Sequence, residues 1–272
     1  MDKLGIEFIS VFGLPPVQFV ELAADLGCRN LSLGLHPLDC NPHDYPSYAL
    51  SDPALQREFK AVARDRGVTF ALAEGFFVLP GRDVSDYAAD LDMVRELGAR
   101  RINTLALEPD RARCFDQFAA LAELAAARGL ATTLEFIPAT PVPDLATAAA
   151  AAAHVGRPEF GVLVDTMHLV RSGGTAADVA ALAPGVVTYA QLCDCPLVSP
   201  YATYAEEAKY ERLPPGAGEF PLLDILKALP RDLVIGLEIP QRRLAEAGVG
   251  PAERLGPCVE AARGLLARRD AA

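Results

Sequence analysis

A chain of 272 residues, 51% of them hydrophobic, can bury the core of one large domain or two small ones, which excludes intrinsic disorder. Its formal net charge of −11, without a basic cluster, argues against duplex nucleic acid or an anionic membrane as the main partner. The six cysteines (28, 40, 114, 193, 195 and 258) contain no C-x-x-C pair, so reduced thiols in a cytoplasmic protein are expected rather than a disulfide framework.

No signal-peptide core is expected at the start, and the long helical patterns read as amphipathic rather than membrane-spanning. Ile6–Ser10 reads as the first strand, and Val17–Leu26 carries apolar residues at helical spacing until Gly27 stops it. Asn30–Leu35 is a second strand, followed by a polar loop holding His36, Asp39, His43 and Tyr45. Ser51-Asp52-Pro53 opens a helix that ends at Gly67, before the strand Thr69–Leu72. A helix from Ser85 stops at Gly98 before Arg101–Leu105, and another stops at Gly129 before Ala131–Phe136. The helix Asp144–His154 stops at Gly156 before the buried run Gly161–Val164, and Ala176–Leu182 precedes Val186–Leu192. Pro221–Leu229 precedes Val234–Ile239, and a helix near Pro251–Ala267 closes the chain.

Strands that alternate with helices imply a parallel sheet joined by right-handed crossovers. Eight units, with no G-x-G-x-x-G after the first strand, favour a closed (β/α)8 TIM barrel over an open sheet. No composition break marks a linker, so residues 1–272 read as a single domain. The segment Pro196–Phe220 is the largest insertion, and it falls where a barrel places its active-site loops.

In such a barrel the C-terminal strand ends meet at one mouth. Strand five ends on Glu135, strand six on Asp165, strand seven carries Gln191, and strand eight ends at Glu238. Taken alone, Asp165 reads equally well as a cap of the next turn. Three carboxylates at one place repel and raise each other's pKa unless a cation neutralises them. A divalent ion resolves this, and oxygen ligands suit Mg²⁺ or Mn²⁺ better than Zn²⁺.

Glu135, Asp165 with His168 three residues on, Gln191 and Glu238 together resemble the metal-site pattern of the xylose isomerase-like TIM barrels. This sugar phosphate isomerase/epimerase superfamily includes ketose 3-epimerases, hydroxypyruvate isomerase, inosose dehydratase and 3-dehydroshikimate dehydratase. The resemblance spans essentially the whole chain. It implies that Glu135 and Glu238 ligate a divalent metal and exchange protons with substrate, that Asp165 is a ligand, and that His168 assists. Gln191 stands where the epimerases usually have His; the dehydroshikimate dehydratases can carry Gln there. Arg212, in Arg212-Leu213-Pro214-Pro215-Gly216, resembles a family arginine that meets a substrate oxygen or carboxylate; it reads equally well as a solvated loop arginine.

His36, Glu74 and Glu108 are weaker candidates for substrate contact: His36 reads equally well as a surface loop residue, and carboxylates placed like Glu74 and Glu108 more often cap a following helix. Cys193 and Cys195 read as buried thiols, and Phe76 and Phe77 as packing. The chemistry implied is metal-assisted proton abstraction next to a carbonyl through an enediolate, in an isomerase or epimerase of a sugar, polyol derivative or cyclic hydroxy-ketone. A dehydratase of the 3-dehydroshikimate or inosose type is the alternative. A histidine-rich zinc nuclease on the same barrel is disfavoured by the acidic charge and by four histidines, of which only His168 is well placed. Such barrels often form dimers or tetramers.

Overall fold

A computed structural model describes residues 3–36, 38 and 40–271; Asp39 of the polar loop lies outside them. The strands are β1 (Leu4–Ile6), β2 (Asn30–Gly34), β3 (Thr69–Val78), β4 (Arg101–Ala106), β5 (Ala131–Glu135), β6 (Phe160–Asp165), β7 (Val187–Leu192) and β8 (Ile235–Leu237). They pair in chain order, all parallel, and β8 returns to β1 through Leu4↔Ile235, Gly5↔Gly236 and Ile6↔Leu237. The barrel is closed, as expected.

Its helices are α1 (Pro16–Asp25), α2 (Pro53–Arg66), α3 (Ala88–Leu97), α4 (Arg111–Ala126), α5 (Leu145–Val155), α6 (Thr166–Arg171), α7 (Ala176–Ala180), α8 (Tyr204–Tyr210), α9 (Leu222–Ala228), α10 (Arg242–Glu246) and α11 (Pro251–Asp270). Their ends follow local chemistry. Asp52 accepts from Ala54 N ahead of Pro53, Asp110 accepts from Ala112 N and Arg113 N, and Asp144 accepts from Thr147 N. Each of these satisfies backbone donors that the first helical turn leaves unpaired. Gly67, at φ 65°, ends α2 in the left-handed conformation that favours glycine.

The main core lies between barrel and helices, where Phe19, Phe59, Phe118 and Ile225 are fully buried. Inside the barrel, Ala71, Leu72, Leu163 and Tyr189 form a separate apolar layer.

Two strand readings need correction. The first strand ends at Ile6, and Phe8–Val11 is a 3-10 turn closed by Ser10 N to Glu7 O at 3.0 Å. An apolar run alone cannot separate a strand from such a turn. Strand three continues to Val78, so Glu74, Phe76 and Phe77 lie within it rather than after it. Gly75, at φ 108° and packed on Leu35, interrupts the apolar pattern where the register between β3 and β4 shifts. Among the described residues no helix is long and apolar enough to cross a membrane.

Candidate metal centre

The register of β5 to β8 sets the mouth. Asp165 pairs with Gln191, and Gln191 with Gly236, so the strand ends step round the barrel at one level. Glu135, Asp165, Gln191 and Glu238 are all buried. Ligand atoms of Glu135, Asp165 and His168 lie within 4.8 Å of one another.

Asp165 does two things at once. Its Oδ1 accepts from Met167 N at 2.7 Å and His168 N at 2.9 Å, capping α6. Its Oδ2 accepts from Arg212 Nη1 at 2.6 Å. One carboxylate thus caps a helix and faces Arg212 at the mouth. The cap also aims α6, so that His168 Nε2 lies 3.0 Å from Glu135 Oε1.

Arg212 is not a solvated loop residue. Its side chain is 2% exposed, with Nη1 2.8 Å from Glu238 Oε2 in addition to its bond to Asp165. The contact to Glu238 is an ion pair without hydrogen-bond alignment, since that oxygen has no hydrogen-bond partner. Arg212 Nε donates to Ala208 O at 2.9 Å. The backbone fixes the position: Arg212 N donates to Pro240 O at 2.8 Å, and Leu213 exchanges hydrogen bonds with Asp194 at 2.8 and 3.0 Å. The Asp194 carboxylate then gathers Cys195 N, Gly216 N and Phe220 N at 2.9, 2.8 and 3.1 Å. One buried aspartate thus ties the insertion onto β7.

A second tier of polar groups, which the sequence reading did not assemble, underlies the mouth. Asn103 on β4 donates through Nδ2 to Glu74 Oε2 at 2.9 Å and to Glu135 Oε2 at 2.6 Å. Gln191 Nε2 reaches Glu74 Oε1 at 3.5 Å and Glu238 Oε1 at 3.4 Å, while its own Oε1 is buried without a hydrogen-bond partner. Glu7, just past β1, accepts from Tyr189 OH at 2.8 Å. Gly236 is required for that contact, because a Cβ there would stand 1.5 Å from Glu7 Oε1. The only sequence signal for Glu7 and Asn103 was a polar residue breaking an apolar run.

The carboxyls do not share the negative charge equally. Burial alone would raise Asp165, but Arg212 and His168 bring it down to about 2. Burial, with Asp165, Glu135 and Glu74 nearby, pushes Glu238 well above the carboxylate range despite Arg212. Burial likewise raises Glu74 well above its ordinary value, with Glu135 and Glu7 adding to it. Burial takes Glu7 to about 7, against hydrogen bonds from Ser32, Tyr189 and Gln191. A raised carboxyl stabilises the fold below its unfolded pKa and loses that contribution as pH rises through its folded pKa. Glu7→Gln is therefore expected to remove a decline in stability between about pH 4.5 and 7, worth about 3 kcal/mol. Urea midpoints at about pH 5 and pH 8 test this: the variant should match wild type at the lower pH and exceed it at the higher.

His36 is exposed and makes no hydrogen bond or ion pair to this cluster among the described residues. Glu108 is engaged locally, by Asp110 N at 3.0 Å and Arg113 Nε at 2.9 Å. Phe76 is core and Cys193 is buried against Arg212 Nη1 at 3.5 Å. Glu74 joins the cluster.

The model of the xylose isomerase-like TIM barrel family matches residues 20–260. This chain belongs to that family. Among solved structures, the IolI protein with a bound zinc atom superposes with a TM-score of 0.81 at 15% identity, over 99% of each chain. A D-psicose 3-epimerase from Clostridium cellulolyticum H10, crystallised with D-tagatose, gives 0.73 at 15% identity, over 98% of this chain and 99% of the other. The probable 3-DHS dehydratase AsbF of Bacillus anthracis gives 0.75 at 13% identity, over 97% and 99%. At these identities the likeness is one of fold. A search of curated proteins finds no match.

The residues present fit a divalent ion. Carboxyl oxygens of Glu135 and Asp165 come together beside a ring nitrogen of His168, and the buried Gln191 oxygen lacks any donor. A buried acceptor left unpaired is what an ion or a substrate hydroxyl would satisfy.

Proposed function

We propose that this chain is a divalent-metal-dependent isomerase or epimerase of a small sugar or sugar derivative, acting by proton abstraction next to a carbonyl. The observation that carries the reading is one buried mouth: Glu135 and Asp165 offer ligand atoms within 4.8 Å, Arg212 joins Asp165 to Glu238, and Gln191 meets Glu238 while its Oε1 stays unpartnered. Glu135, Asp165, Gln191 and Glu238 would hold the ion, Mn²⁺ or Mg²⁺ by the preference of oxygen donors. When bound, it would polarise a substrate carbonyl and offset the charge of an enediolate.

The chain's own residues supply the proton chemistry. β6 and β7 separate Glu135 from Glu238, so the two carboxyls border the site from different sides. Asn103 and His168 hold Glu135 by both of its oxygens, which orients it as an acceptor. Return of the proton to the opposite face gives an epimer, and return to the neighbouring carbon gives an aldose–ketose pair. Loss of a β-hydroxyl gives dehydration.

The dehydratase alternative is supported by Gln191 and by the likeness to AsbF. Its weak point is the partner for an anionic substrate. Arg212 is already committed to Asp165 and Glu238, so a substrate carboxylate would have to compete with two of the protein's own. An uncharged polyol suits these surroundings better.

The test is elemental analysis of the purified protein, followed by turnover with Mn²⁺ against a panel of ketoses and 3-dehydroshikimate. A stoichiometric ion with ketose conversion is the expected result. An absorbing aromatic acid formed from dehydroshikimate would transfer the protein to the lyases. No ion bound, even on addition, would overturn both readings.

A further inference from the structure

The insertion between β7 and α9 brings a second side chain to the mouth besides Arg212. α6 and α8 are joined by two rungs with the same helical spacing. On α6, His168 and Arg171 stand three residues apart; on α8, Tyr204 and Glu207 do the same. His168 Nδ1 hydrogen bonds the Tyr204 hydroxyl, and the two rings lie 5.8 Å apart. Arg171 pairs with the buried Glu207 at 2.7 and 3.1 Å and also donates to Pro196 O and Leu197 O. The lower rung fixes α8 against α6, and the upper one meets the site.

We infer that Tyr204 is a positioning residue that fixes His168 as the Nε2–H tautomer, so that His168 donates to Glu135 and is not itself a metal ligand. The inference rests on the functional reading above for the role of Glu135, and does not depend on which product forms.

The Tyr204 hydroxyl can donate or accept, so the choice is made at the other ring nitrogen. A carboxylate oxygen only accepts, so in a neutral imidazole the lone pair that meets the Tyr204 O–H is on Nδ1 and the proton is on the nitrogen facing Glu135, Nε2. That nitrogen lies 3.0 Å from Glu135 Oε1, an acceptor when ionised. Both ring nitrogens are then used. Distances alone group His168 with Glu135 and Asp165 as possible ligands. Ligation through Nε2 would, however, force the proton onto Nδ1, and Tyr204 would have to accept instead of donate. The two roles demand opposite tautomers.

¹⁵N NMR of histidine-labelled protein with Mg²⁺ at about pH 8, above the ordinary histidine range, reads this directly. The chain has four histidines, and loss of one signal set in His168→Gln identifies its resonances. The expected result is a protonated Nε2 and an unprotonated Nδ1 in the wild type. In Tyr204→Phe, with an unchanged circular dichroism spectrum, the two shifts move toward a tautomer average. With a substrate in hand, kcat in that variant falls about 10-fold while KM holds. A wild-type Nδ1–H tautomer, an imidazolium at this pH, or a Tyr204→Phe spectrum identical to wild type would each overturn the inference. The wild-type measurement needs neither a variant nor turnover. A failed reaction assignment therefore leaves it standing, and a wrong tautomer leaves metal content and turnover untouched.

Discussion

Glu238→Gln is expected to lower kcat about 10²–10⁴-fold on the carbonyl substrate that the panel identifies. The substitution keeps the side chain's volume and can keep the contact to Gln191, at 3.4 Å in the wild type. What it removes is the negative charge and the ability to take a proton. Two measurements separate those losses. Metal content reports whether the site still binds its ion, and deuterium wash-in at the carbon next to the carbonyl reports proton abstraction. A variant that retains metal and loses exchange identifies Glu238 as the base. Loss of both makes it a ligand first. Turnover equal to wild type, in this variant and in Glu135→Gln, would remove the chemical basis of the proposed function.

The barrel was legible because its signals are local. Glycines past helices and short apolar runs before polar strand ends recur along the chain, and closure follows from counting them. Glu135, Asp165, Gln191 and Glu238 were legible for the same reason, as each sits at the end of its own strand or just past it. Other features depend on distant partners. Glu7 can enter the barrel only because Gly236 on β8 has no side chain, and nothing near residue 7 announces that. Asn103 acquires meaning between Glu74 and Glu135, residues 29 and 32 positions away. Tyr204 lies in an insertion whose course is set by the Asp194 carboxylate and by the Arg171–Glu207 pair. Local propensity cannot specify these pairings, since each is decided by where two separate elements pack. The first strand failed differently: Ile6–Ser10 has the composition of a strand, but the chain turns at Glu7 to place that carboxylate inward.

Arg212→Met is expected to destabilise the metal-free protein by about 3–5 kcal/mol, the cost of leaving a buried charge without its partner. For a chain of this size that lowers the melting temperature by about 10 °C. The Arg212 guanidinium contacts both Asp165 and Glu238, and Met replaces most of its length without the charge. The pH dependence follows from Asp165. Its folded pKa of about 2 lies below the unfolded value, so its contribution is present above about pH 4 and lost as pH falls through 2. In the variant burial raises Asp165 instead, and the gap to wild type should be widest near neutral pH and narrow on acidification. Mn²⁺ provides the decisive arm. An ion that binds the folded state stabilises it by mass action, and an ion at the same carboxylates replaces the missing positive charge. The melting temperature should therefore rise more in Arg212→Met than in wild type when Mn²⁺ is added. Equal stability of the two metal-free proteins would show that the guanidinium is not the counter-ion of this cluster. A large loss with no greater rescue would mean that Arg212 and the ion do not share these carboxylates. The expected pattern, loss and selective rescue, makes Arg212 the internal cation that keeps an acidic mouth folded until a divalent ion arrives.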